Sequence, residues 1–117
     1  MTGGRVEPEL HALRKLAEEL ALRGKERLST AHLLAAIADG ATPAAELLLE
    51  RRMGSDEILR LARATRDEVQ EPIRAALARA HEIAVRMGQT QAAAAHLLVA
   101  LLNEPRSAAR RALEQAG

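Results

Sequence analysis

The chain contains no cysteine, phenylalanine, tyrosine or tryptophan. Without cysteine there can be no disulfide framework, no thiolate nucleophile and no cysteine-ligated zinc or iron–sulfur centre, and a reducing compartment fits that usage. Without aromatic rings a nucleic-acid binder loses the platform on which unpaired bases stack. An excess of one charge is missing as well. Seventeen basic and 16 acidic residues interleave to a formal net charge of +1, so no general attraction draws the chain to nucleic acid or anionic lipid. Long apolar runs are absent. Residues 1–10 are polar, with charges at Arg5, Glu7 and Glu9, unlike a secretory leader. The longest apolar segment, residues 92–102, is interrupted by His96 and is about half the length of a bilayer-spanning helix. These features predict a cytoplasmic protein that engages no membrane. The one Gly-Lys pair, Gly24-Lys25, is followed by Glu26, so the phosphate-binding loop that needs Ser or Thr after the lysine is missing and ATP hydrolysis by this chain is not expected.

What is present is aliphatic. Hydrophobic residues make up 48% of 117 residues, carried by Ala, Leu, Ile, Val and Met, a composition that favours helix over strand. The length predicts one domain with one core, spanning residues 1–117.

The chain also repeats itself. Shifted by 64 residues, the distance from Glu7 to Glu71, it aligns without a gap. Glu7-Pro8 falls on Glu71-Pro72, Gly24 on Gly88, and Ala31-His32-Leu33-Leu34 on Ala95-His96-Leu97-Leu98. Alanine matches mean little in so alanine-rich a chain, but the Glu-Pro pair, the glycine and the His-Leu-Leu triplet in one register are hard to obtain by chance. Repeat one covers about residues 7–54 with a connecting helix over 55–70, and repeat two about 71–117.

Helices are expected throughout both copies. Pro8 and Pro72 suit a first helical turn, and Gly24 and Gly88 suit the left-handed residue that ends a helix, which places helices over residues 8–23 and 72–87. Leu10, Leu13, Leu16, Ala17 and Leu20 form one buried stripe, and Ile73, Leu77, Ala80, Ala84 and Met87 the other. Ser29 and Thr30 offer hydroxyls to cap the next helix, with Leu33, Leu34 and Ile37 buried on it. In copy two Ala93 and Ala94 replace both hydroxyls, which weakens that start by about 1 kcal/mol unless another group caps it. Thr42-Pro43 opens a third helix with Leu47 and Leu48 as core candidates, closed by Gly54; Ser107 opens its counterpart, which runs out at Gly117. Ser55 then caps a fourth helix carrying Ile58, Leu59 and Leu61, which has no counterpart in copy two. The expected architecture is all-α, with about seven helices in two pseudo-twofold-related repeats packed as one bundle.

The segment Gly24-Lys-Glu-Arg-Leu-Ser-Thr-Ala-His-Leu-Leu34 resembles the repeat of the Clp (Hsp100) unfoldase N-terminal domain, in which a glycine ends helix one and Gly-Thr-Glu-His-Leu-Leu opens helix two. Residues 44–61 are similar to the family's following segment, and Gly88 with Ala95-His-Leu-Leu98 repeats the theme. The resemblance covers roughly residues 7–117. It implies a non-catalytic module ahead of AAA+ ATPase domains, docking adaptor proteins or unfolded substrate segments, monomeric in isolation and needing no cofactor. It also implies a partner site between the repeats or at the exposed starts of helices two and six, with Thr30, Ala31, Ala94 and Ala95 as contributors and Gly24, His32, Gly88 and His96 as the structural repeat motif. The acid that precedes the family histidine is Ala31 in one copy and Ala95 in the other, so the phosphoarginine reading of some relatives is not expected, since alanine cannot hold a guanidinium. A stand-alone accessory protein that binds a Clp protease core is the alternative, and a helical nucleic-acid binder a weaker one.

Two sharper chemical readings are set aside. His32 and His96 lack a carboxylate partner for a metal site and fit local hydrogen bonding better, while His11 and His81 have no matched positions. Glu18 and Glu82 do match, yet no nucleophile, oxyanion donor or metal ligand accompanies them, so surface pairing is expected. The same is expected of Arg51, Arg52, Arg106, Arg110 and Arg111, beside Glu46, Glu50 and Glu114.

Overall fold

The computed structural model describes residues 7–63 and 65–116. They form seven helices and, among the described residues, no strand: α1 (Pro8–Arg23), α2 (Thr30–Ala38), α3 (Pro43–Glu50), α4 (Ser55–Ala62), α5 (Pro72–Arg86), α6 (Ala94–Leu102) and α7 (Ala108–Ala116). Pro8 and Pro72 occupy first turns, as their missing N–H groups allow. Shifted by the repeat, α1 falls on α5, α2 on α6 and α3 on α7. The packing follows the same symmetry. α1 lies on α2 as α5 lies on α6, α1 on α6 as α5 on α2, and α3 on α6 as α7 on α2, with α2 against α6 at the centre. α4 has no repeat mate and packs on α2 and α7.

The core is built from alternate faces of the repeats. Every residue of α2 is buried, and Leu33, Leu34 and Ile37 are fully so. A nine-residue helix of mean apolar character on all sides can persist only inside the molecule. α6 contributes Leu97 and Leu101, and α4 contributes Ile58. Each such aliphatic side chain supplies about 1.5–3 kcal/mol relative to an exposed position, which is what drives these short helices together. In α1, Leu10, Leu13, Ala17 and Leu20 are buried and Leu16 packs partly against them, the stripe that the spacing predicts. In α5 the stripe is narrower. Ala80 and Ala84 are buried, Ile73 and Leu77 partly so, but Met87 lies past the end of the helix and is 63% exposed. Leu48 is buried as expected; Leu47, one residue round α3, is 53% exposed.

The ends of the helices differ from expectation in four places. Gly24 is right-handed (φ −84°), and the left-handed residue that reverses the chain is Lys25 (φ 55°), whereas Gly88 adopts φ +78° as predicted. α3 ends at Glu50, with Arg52 left-handed (φ 60°), so Gly54 is not its terminator but the extended N-cap of α4, and Ser55 is the first residue of that helix. α4 stops at Ala62 and does not run to residue 70. Residues 65–71 are non-helical and bond to α7 and the loop before it: Glu68 N–H donates to Arg106 O (2.8 Å) and the Arg111 guanidinium pairs with the Glu68 carboxylate. α7 begins after Ser107, whose Oγ accepts from Arg110 N (3.1 Å), and is described to Ala116, so the expected end at Gly117 lies outside the described residues.

Glycine at the two matched positions is therefore under unequal demand. Replacing Gly88 by alanine forces a side chain into a left-handed conformation and should cost about 1 kcal/mol. Gly24→Ala meets only the flexible end of Glu26 and should be nearly neutral. Urea unfolding of the two variants checks this difference, and equal losses would contradict it.

Candidate docking site

The expected contact residues sit at the starts of α2 and α6, so the question is what occupies the free N–H groups there. At α2, the Asp67 carboxylate from the interrepeat segment accepts from Thr30 N (2.9 Å) and from the Thr30 hydroxyl. The same carboxylate accepts from Ala108 N (2.7 Å), and Thr30 Oγ1 accepts from Ala109 N (3.0 Å). The Thr30 hydroxyl thus does not cap its own helix, as expected from the sequence, but the start of α7. At α6, where alanines replace the hydroxyls, two acids from the beginning of α1 take over. Glu9 accepts from Ala94 N (2.6 Å), and Glu7 accepts from Ala92 N and from His81 Nδ1 (3.2 Å). The weakness predicted for this start is made good by residues 85 positions away.

The matched histidines act within their own repeats. Ser29 N donates to His32 Nδ1 (3.1 Å), which assigns the proton to Nε2, and Nε2–H donates to Glu26 Oε1 (3.2 Å). Ala93 N donates to His96 Nδ1 (2.8 Å) in the same way. Each imidazole therefore closes the turn that leads into its helix. His32 is buried and His96 half-buried. No group of three or more His, Asp or Glu side chains able to hold a metal is found among the described residues.

The four expected contact residues divide accordingly. Thr30, Ala31 and Ala94 are buried, with exposures of 2%, 0% and 1%, and the N–H groups of Thr30 and Ala94 are already bonded inside the chain. The helix starts expected to be exposed are enclosed instead, with internal carboxylates on their N–H groups. Ala95 alone is exposed, on the outer face of α6. Beside α2 a polar hollow of about 680 Å³ opens between Glu26, Arg27, His32, Arg63, Arg66 and Asp67. The remaining matched charges pair on the surface: Arg14 with Glu18, Arg79 with Glu82, Arg110 with Glu114 and Arg106 with Glu104. Glu57 and Arg60 form another such pair on exposed α4, where the hydrogen bond from Arg60 lowers the Glu57 carboxyl below its usual range. No constellation of nucleophile, base and oxyanion donor is assembled by these groups.

What sequence reasoning missed are the caps supplied by Asp67, Glu7 and Glu9. Their signal is weak, an acid near a Pro in each lead-in, and only the packing of one repeat on the other shows which N–H groups they meet.

Residues 68–117 match the family model described as Clp repeat (R) N-terminal domain. The match covers the second repeat and the end of the segment that leads into it. No curated protein and no solved structure matches the chain. No helix among the described residues is long and apolar enough to cross a membrane.

Removing the caps should unfold the chain in proportion to the donors left bare. Asp67→Ala strands two buried N–H groups and a hydroxyl and should cost on the order of 3 kcal/mol, a fall of roughly 10 °C in Tm. Glu9→Ala should cost about 1 kcal/mol. Calorimetry checks both, and a loss at Asp67 no larger than at Glu9 would contradict the shared-cap geometry.

Proposed function

We propose that this chain, whose residues 68–117 match the Clp repeat (R) N-terminal domain family, is a non-catalytic docking module that receives adaptor proteins or unfolded substrate segments for a Clp-type AAA+ unfoldase. The family match is the observation that carries the reading. Three features support it. Helices α1–α3 reproduce the order and packing of α5–α7, so residues 7–54 read as a second copy of the same unit. The chemistry-bearing side chains are spent on caps, turns and surface pairs, which fits a module that binds and does not react. A small rigid bundle is also what a tethered docking unit needs. Weak binding on a tether raises the local concentration of cargo near a pore, and micromolar affinity suffices for that.

The phosphoarginine-reading version of the family site lacks its acids in this chain. At the positions preceding the two histidines stand Ala31, which is fully buried, and Ala95, neither of which can pair with a guanidinium. Partner choice in this chain therefore rests on other surfaces.

Immobilised chain exposed to lysate of its source should retain a small adaptor, unfolded clients or a Clp ATPase or protease subunit, identified by mass spectrometry, and should hold them at about 0.5 M salt, where exposed charges are screened. Retention of a protease core without any unfoldase would favour the accessory-protein alternative. Retention of nucleic acid alone, lost on raising salt, would overturn the docking reading.

A further inference from the structure

The two repeats close the turn into their central helix in the same way but dress it differently. Ser29 N–H donates to His32 Nδ1 (3.1 Å) in one, and Ala93 N–H donates to His96 Nδ1 (2.8 Å) in the other. The turn of repeat one carries Lys25, Glu26 and Arg27, whereas its mate reads Gln89, Thr90 and Gln91 and holds no charge. Closing the turn therefore does not call for Arg27. That residue lines the hollow of about 680 Å³ beside α2, and Arg63 and Arg66 line it from the end of α4 and the segment that follows. All three are exposed, and none has an ion-pair partner among the described residues. The two carboxylates of the hollow are already engaged: Asp67 accepts from Thr30 N and Ala108 N, and Glu26 accepts from His32 Nε2. The backbone that carries the arginines is pinned on either side. Glu26 N–H donates to Ala21 O (2.8 Å), and Thr65 Oγ1 donates to Ala62 O (3.0 Å), so a ligand has little backbone to order.

We infer that this hollow binds an acidic segment of a partner protein, whose carboxylates are taken by the guanidinium forks of Arg27, Arg63 and Arg66. Leu28, Leu59 and Val69, each half-buried in the lining, meet the apolar side chains between the acids. A nucleic acid suits the place less. The chain as a whole has a formal net charge of +1 and no aromatic ring, so away from the hollow a long polyanion meets acids as often as bases and finds no stacking surface. Neither end of the described chain lies in the hollow: Glu7 is bonded to Ala92 and His81 beside α6, and Ala116 lines a separate groove with Leu47 and Leu98. Residues 1–6 contain no acid that could serve as an internal ligand. The site is additional to the salt-resistant contact expected of the docking module and selects one further segment of a partner by its charge.

The test is an NMR titration of the full chain with the acetylated, amidated hexapeptide Glu-Leu-Glu-Glu-Leu-Glu. Saturable shifts at the amides of Arg27, Ser29, Arg63 and Arg66 are expected, with affinity falling about tenfold between about 0.05 M and about 0.5 M salt. Arg27→Gln, which copies the residue at the matched position of repeat two, should weaken binding about threefold, and adding Arg63→Gln and Arg66→Gln about tenfold or more, with Tm unaltered. Arg52→Gln, outside the hollow, should leave binding unchanged, and the peptide with Gln in place of every Glu should not bind. No saturable binding, equal weakening by Arg52→Gln, or tighter binding of inorganic phosphate or a single-stranded oligothymidylate would each overturn the inference. If the peptide fails to bind while the chain still captures an adaptor or client at high salt, the hollow is excluded and the docking-module reading stands.

Discussion

The start of α2 is closed by a carboxylate of the interrepeat segment and the start of α6 by carboxylates at the head of α1, and the packing of the two repeats depends on those bonds. Asp67, just ahead of repeat two, caps α2 of repeat one; Glu7 and Glu9, at the head of repeat one, cap the lead-in and start of α6 of repeat two. Helices of eight or nine residues are not stable alone, and their first N–H groups are costly to bury unbonded. Neither repeat satisfies its own central helix. Exchange of caps therefore makes the two halves mutually dependent, and it fixes how α1 and the 65–71 segment lie across the partner repeat. Asp67 goes further, since with Thr30 it also completes the start of α7, joining α2, α7 and the interrepeat segment at one point.

Much of the helix plan was legible because it is written in local chemistry. Pro8 and Pro72 mark starts, Gly88 a left-handed stop, Thr42 and Ser107 caps, and the duplication at 64 residues ties the two halves to one design. What could not be read was long-range. Nothing near Thr30 in sequence indicates that its hydroxyl serves α7, or that Glu68 beyond the end of α4 is bonded to Arg106 and Arg111. Lys25 and Arg52 take the left-handed positions although Gly24 and Gly54 stand close by, since the turn geometry is set by where the next helix packs and not by the nearest glycine. Leu47 and Met87 follow the periodicity of buried residues yet are exposed, one lining the groove between α3 and α6 and the other beyond the end of α5.

Several of the residues that the two halves share are structural. The family-like motif residues His32 and His96 close turns, and Thr30, Ala31 and Ala94 are enclosed by the exchanged caps. α2 is covered on every side, whereas α6, its mate, carries the exposed residues Ala95, Val99 and Leu102.

The carboxylates of Asp67, Glu7 and Glu9 make the two repeats one cooperative unit. Native-state hydrogen exchange of the Thr30, Ala94 and Ala108 amides across a series of low denaturant concentrations tests this. All three are expected to exchange only through global unfolding, with the same free energy and the same denaturant dependence. Exchange of the Ala94 amide through an opening of α5–α7 that leaves Thr30 protected would show that the repeats unfold separately and would contradict it.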